Sequence, residues 1–138
     1  MTLSSDRIDL GIYECLKLEI ATFGIKSVIF ELGFFRTKIM HPGNMRCQPS
    51  YIEDYAPIAH AVNQFVIEKD NNQAGDPKKA VSIIVDVVRD EGVAQGKEMP
   101  ARLPLGPDVL DVVRKKCTDT LKICDDWERV SSSTNFDA

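Results

Sequence analysis

No stretch of this 138-residue chain approaches the ~20 consecutive apolar residues that a membrane-spanning helix needs. The N-terminal residues, MTLSSDRIDL, have neither a basic flank nor an apolar core, so no secretory leader is read there and a cytoplasmic location is expected. Basic residues are not in excess. Seventeen Lys and Arg stand against twenty-one Asp and Glu, for a net charge of −4, and the cations are scattered, so no nucleic-acid or anionic-membrane surface is marked. Cysteine is sparse: Cys15, Cys47, Cys117 and Cys124 form no C-x-x-C pair and have no histidine at ligand spacing, so no metal site is expected. In a reducing compartment these four read as free thiols serving as small core residues, with Cys117 and Cys124 on one helix face. A phosphate-cradling glycine loop is missing too. Gly92-x-x-x-Gly96 has Glu98 where a third glycine would stand, and it is one residue short of a P-loop.

What is present is an ordinary soluble composition, 43% hydrophobic and 28% charged, in one domain's length of chain with no internal repeats. The chain is organised around residues 23–37, FGIKSVIFELGFFRT. Residues 27–32 suit a strand buried on both faces, as in a parallel sheet under helices. Gly33 ends the run and a short loop closes on Thr37. Ligands of open α/β sheets sit at strand carboxyl ends, which makes 32–37 the candidate site.

Helical spacing runs over 8–23, with Ile8, Ile12, Cys15, Leu16 and Ile20 as its stripe, Leu10, Tyr13 and Leu18 on other faces, Ser4 or Ser5 as cap and Gly24 as stop. So apolar a helix is either deeply packed or faces another subunit. Ser50-x-x-Glu53 is a capping-box pattern, and Pro57 opens a second helix reaching about Lys69, with Ile58, Val62, Phe65 and Val66 on its apolar side. The segment 38–69 reads either as a lid lined by Tyr51, Tyr55 and His60 or as a loosely packed excursion. Asp76-Pro77 starts a third helix, carrying Ala80, Val81, Ile84, Val87 and Val88 up to Arg89. Residues 101–105 make at best an edge strand because of Pro104. A last helix follows Gly106-Pro107 with Leu110, Val113, Cys117, Leu121 and Cys124 in line, and 131–138 is a polar tail.

Several of these stretches together resemble the short-chain dehydrogenase/reductase family. Phe23-Gly24-Ile25-Lys26 leading into a strand and then Gly33-x-x-x-Thr37 is similar to that family's sixth strand and following loop, with Leu32 where proline is usual. Gly75-Asp76-Pro77-Lys78-Lys79-Ala80 and Arg102-Leu103-Pro104-Leu105-Gly106 resemble its later segments, and Trp127, Val130, Ser131, Ser133, Thr134 and Phe136 resemble one branch's tail. The resemblance covers nearly all of this chain but only the family's C-terminal portion. It implies an α/β fold: the C-terminal part of a Rossmann-like doubly wound domain, with two parallel strands (27–32 and 101–105), about four helices, and 1–138 as one truncated domain.

The same resemblance implies NADP(H) as cofactor and carbonyl or alcohol conversion in small-molecule, secondary-metabolite biosynthesis. Leu32, Gly33, Phe34 and Thr37 would be the cofactor-binding residues, with Phe34 near the nicotinamide ring and Thr37 offering its hydroxyl. The family's catalytic Tyr-x-x-x-Lys falls on Thr2 and Asp6 by alignment. The literal match Tyr13-x-x-x-Lys17 comes about three helical turns too late. No catalytic residue is therefore assigned, and independent activity is not expected. Two other readings stand beside this one. The chain is a binding module needing a homodimer or protein partner, through helix 8–23 and the edge of strand 27–32. Alternatively it is a repurposed cofactor-free enzyme using His41, His60, Glu53 or Asp54 for proton transfer.

Overall fold

Local signals set most of the helix ends. The computed structural model describes residues 6–45 and 52–136, with side chains from residue 11 onward. Helix α1 (Asp6–Ala21) closes through Gly24, whose φ of 71° lies in the left-handed region. Gly24 N–H donates to Ala21 C=O at 3.0 Å and Ile25 N–H to Ile20 C=O at 3.3 Å, the paired bonds of a Schellman stop. Helix α2 (Ala56–Lys69) carries Pro57 in its first turn. Helix α3 (Pro77–Arg89) is capped by Asp76, whose Oδ1 accepts from Lys78 N–H at 2.8 Å. Asp76→Ala is expected to cost about 1 kcal/mol, read as a lowered urea midpoint with an unchanged slope.

Strands β1 (Ile29–Leu32) and β2 (Arg102–Leu105) pair in parallel, Ile29 opposite Arg102 and Leu32 opposite Leu105. The helix α4 (Pro107–Ser132) leaves β2 through Gly106. Among the described residues this is the expected α/β arrangement of two parallel strands and four helices. Ile29 N–H donates to Ala101 C=O at 3.0 Å and Gly33 N–H to Leu105 C=O at 2.8 Å. Odd-numbered residues of β2 therefore face β1, and the N–H that Pro104 lacks falls on the opposite edge. That edge is closed to further pairing by proline. The outer edge of β1 has no such block.

Three expectations are corrected. The strand is not buried on both faces: Leu32 is 55% exposed, because among the described residues β1 has β2 as its sole neighbour. Cys15, Cys117 and Cys124 are free thiols as expected but exposed, not core. Among the described residues the buried apolar side chains are Met40, Val66, Ala80, Ala94 and Leu105, none of them on α1 or α4. The polar tail is shorter than read, since α4 continues to Ser132. Exposed i,i+4 pairs, Lys115–Asp119 and Lys122–Asp126, support that unpacked length by a few tenths of a kcal/mol each. Ser4, Ser5, Cys47, Ser50 and Tyr51 lie outside the described residues.

Candidate functional site

The residues that follow β1 leave the sheet at its carboxyl end and are tied down from two sides. On one side, Gly33 extends the pairing by its bond to Leu105, and Phe34 N–H donates to Asp108 Oδ2 at 2.7 Å. Asp108 stands in the first turn of α4, where the helix dipole favours a carboxylate. A Cβ on Gly33 would lie 2.2 Å from Asp108 Oδ1, and one on Gly106 would lie 2.7 Å from the same atom. The space left by two glycines that end neighbouring strands is thus filled by one carboxylate.

On the other side the loop is paired with the segment between α2 and α3. Gly75 N–H donates to Phe34 C=O at 3.1 Å, Arg36 N–H donates to Gly75 C=O at 2.8 Å, and Arg36 Nε donates to Gln73 C=O at 3.1 Å. The Gln73 side chain is 2% exposed, and its amide has no partner among the described residues. The ring of Phe34 leans on Phe65 of α2, centroids 5.7 Å apart at 59°, a tilted aromatic contact. Thr37 caps the short 3-10 turn Lys38–Met40, its Oγ1 accepting from Ile39 N–H at 3.4 Å. Among the described residues the Thr37 hydroxyl has no acceptor and can donate.

The loop therefore brings Gly33, Phe34 and Thr37 together at one end of the sheet, with Leu32 at the end of β1. Phe34 presents part of its ring to solvent, while Gly33 offers neither a free N–H nor open space. Asp108 is the member of the site that sequence reasoning missed. The available signal was a glycine closing each strand, Gly33 and Gly106, with an acid in the next helix's first turn.

Other candidates lie elsewhere. Tyr13 Oη donates to Ser27 Oγ at 3.0 Å, before β1 begins, and Lys17 lines a cavity of about 430 Å³ with Lys26, Ser27, Val87 and Met99. Both residues are thus at the amino ends of the strands, opposite the 33–37 loop. His41, His60, Glu53, Asp54 and Tyr55 are exposed, and His41 Nδ1 accepts from Gly43 N–H at 3.1 Å. No cluster of His, Cys, Asp and Glu that could hold a metal occurs among the described residues. No described helix is long and apolar enough to cross a membrane. An ion pair joins Arg102 of β2 to Glu31 of β1, tying the strands together.

Two parallel strands, their flanking helices and a glycine loop at the strand ends are elements of a Rossmann-like fold, and the chain resembles the short-chain dehydrogenase/reductase family in sequence and in structure. It is similar to a short-chain dehydrogenase of Streptomyces avermitilis, with a TM-score of 0.67 and 29% identity, over 92% of this chain and 43% of that one. It is 28% identical over 122 residues to the oxidoreductase BOA17 of Botryotinia fuckeliana, covering 88% of this chain and 41% of that protein. The chain thus spans about two-fifths of the length of each relative. No family model matches it.

Proposed function

We propose that this chain contributes one wall of the nucleotide and substrate cleft of a cytoplasmic, NADP(H)-linked oxidoreductase that interconverts carbonyl and alcohol in a small molecule of secondary metabolism. The observation that carries this reading is the fixed loop 33–37 at the strand carboxyl ends, where α/β folds take their ligands. The relatives' names, an oxidoreductase and a short-chain dehydrogenase, support the reaction class.

The fit to a dinucleotide is partial. The exposed part of the Phe34 ring can meet a nicotinamide, and the Thr37 hydroxyl can donate to an amide or phosphate oxygen. Gly33 and Phe34 N–H are already bonded within the chain. The cofactor would supply the hydride, and the chain's residues position it and limit water access. The sequence contains no glycine-rich pyrophosphate turn, and among the described residues no tyrosine–lysine pair stands at the strand carboxyl ends, so catalysis by this chain alone is not part of the proposal.

NADPH titration followed by calorimetry tests it. A wall with half the contacts should bind saturably, with a dissociation constant on the order of 1 mM. Thr37→Ala should weaken it about fivefold, the cost of one hydrogen bond. The absence of saturable binding in the millimolar range would overturn the reading.

A second reading is favoured by one observation: the asymmetry of the two sheet edges. Pro104 closes one, while among the described residues nothing covers the outer edge of β1, and Ile12, Leu16 and Leu18 of α1 are exposed. On this reading the chain is a binding module completed by a homodimer partner on that side.

A further inference from the structure

We infer that Asp108 is a positioning residue for the 33–37 loop, a latch whose carboxylate sets the loop's shape without meeting substrate. The inference rests on the reading of that loop as the site wall. It assigns a role to a residue outside the loop, 74 positions away from Phe34.

Backbone pairing alone leaves the loop underdetermined at its first residues. The strand ladder ends with Gly33 N–H on Leu105 C=O, and Phe34 N–H has no backbone acceptor in reach of that ladder. A backbone N–H left without a partner must be satisfied by side chain or water. Asp108 Oδ2 takes it at 2.7 Å, a short bond with an ionised acceptor, the stronger kind. A Cβ on either Gly33 or Gly106 would collide with Asp108 Oδ1. The carboxylate therefore fills a slot shaped by two strand ends and the first turn of α4. Its position is held by three elements, and the loop takes its position from it.

The far side of the loop is held independently, by Gly75 and by Arg36 on Gln73. Phe34 lies between the two anchors. With one anchor removed, Phe34 can turn about the other, and its ring leaves Phe65. With both, the ring is fixed at the mouth of the site. Asp108 thus acts through Phe34.

Hydrogen exchange by NMR on the full chain tests the latch without any nucleotide. Asp108→Ala should speed exchange of the Phe34 amide roughly ten- to hundredfold, as for loss of one charged hydrogen bond. The amides of Ile29 in β1 and Val113 in α4 should stay within about twofold, since their bonds are ladder and helix bonds. Asp108→Asn keeps an acceptor oxygen of the same size and should restore most of the protection, which Asp108→Leu should not. Should Asp108→Ala fail to fold, the asparagine and leucine pair gives the same comparison. An unchanged Phe34 amide overturns the latch, and so does acceleration spread evenly over the chain, which would mark Asp108 as a general folding residue. NADPH binding is read on the same samples. A latch effect without nucleotide binding by the wild-type chain overturns the functional reading alone.

Discussion

Gly75→Ala is expected to be among the most damaging single-methyl additions in this chain, lowering stability by about 1 to 3 kcal/mol. A Cβ there would lie 2.6 Å from Cδ1 of Phe35 and 2.7 Å from the carbonyl oxygen of Phe34. The second of these is backbone, which cannot swing aside as a lysine tip can. Gly75 also exchanges bonds with this same stretch, Gly75 N–H to Phe34 C=O and Arg36 N–H to Gly75 C=O. Separating the two segments enough to admit a methyl group lengthens both bonds at once. The loss should appear in urea unfolding as a lower midpoint. Gly11→Ala serves as the control: its Cβ meets nothing within 4 Å, and alanine is the better helix former by about 1 kcal/mol. It should leave stability unchanged or raise it. Equal losses in the two variants would show that the 34–36 and 75 contact does not constrain the fold. NADPH affinity in Gly75→Ala should fall with the loop's order, again without change at α1.

The contrast between these glycines shows what the sequence made legible. Gly24 could be read as a helix stop because its task is local, with both Schellman bonds closing within five residues. Asp76-Pro77 and Pro57 were legible for the same reason: a cap or a first-turn proline acts on its own helix. The strand after Phe23 and the loop closing on Thr37 were visible as an apolar run ended by glycine. The need for glycine at 33, 75 and 106 was not. At 33 and 75 it arises from Asp108, Phe34 and Phe35, residues far away in the chain that only the fold brings against them, whereas Gly106, two residues from Asp108, is held at a φ of 118°. Asp108 itself reads in sequence as an ordinary first-turn acid, and only its bond to Phe34 reveals a second task.

Burial was the least legible property. The helical stripes of α1 and α4 are apolar, yet Ile12, Leu16 and Leu121 are all about half exposed or more. Periodicity tells which face a helix would bury, and it is silent on whether a partner surface exists. Cys15, Cys117 and Cys124 are exposed for this reason, although their spacing predicts a buried face. An apolar stripe does not imply cover, and over much of α1 and α4 there is none within the described residues.

That uncovered surface leads to the second large expectation: the stability of the purified chain should depend on its concentration. A two-stranded sheet is marginal by itself, and here the outer edge of β1 is neither blocked by proline nor blunted by lysine. Association that stabilises the folded form raises its apparent stability by mass action. A tenfold increase in protein concentration is worth ~1.4 kcal/mol. For a chain of this size that corresponds to a rise of about 3 to 8 °C in the thermal midpoint. Sedimentation equilibrium should show the matching shift from monomer to dimer. Leu32→Pro locates the contact. The bonds from β1 to β2 run through Ile29 and Gly33, so residue 32 directs its N–H to the open edge, and its side chain is already 55% exposed. Proline there removes an edge donor and leaves the existing ladder in place. The variant should keep the dilute-state midpoint within about 2 °C and lose the concentration dependence. A concentration-independent transition in the wild-type chain, sharp and above about 65 °C, would mean that two strands and four helices suffice without a partner. Concentration dependence that survives Leu32→Pro would move the contact from the strand edge to the apolar face of α1, where Leu16→Lys and Leu18→Lys would be the decisive substitutions.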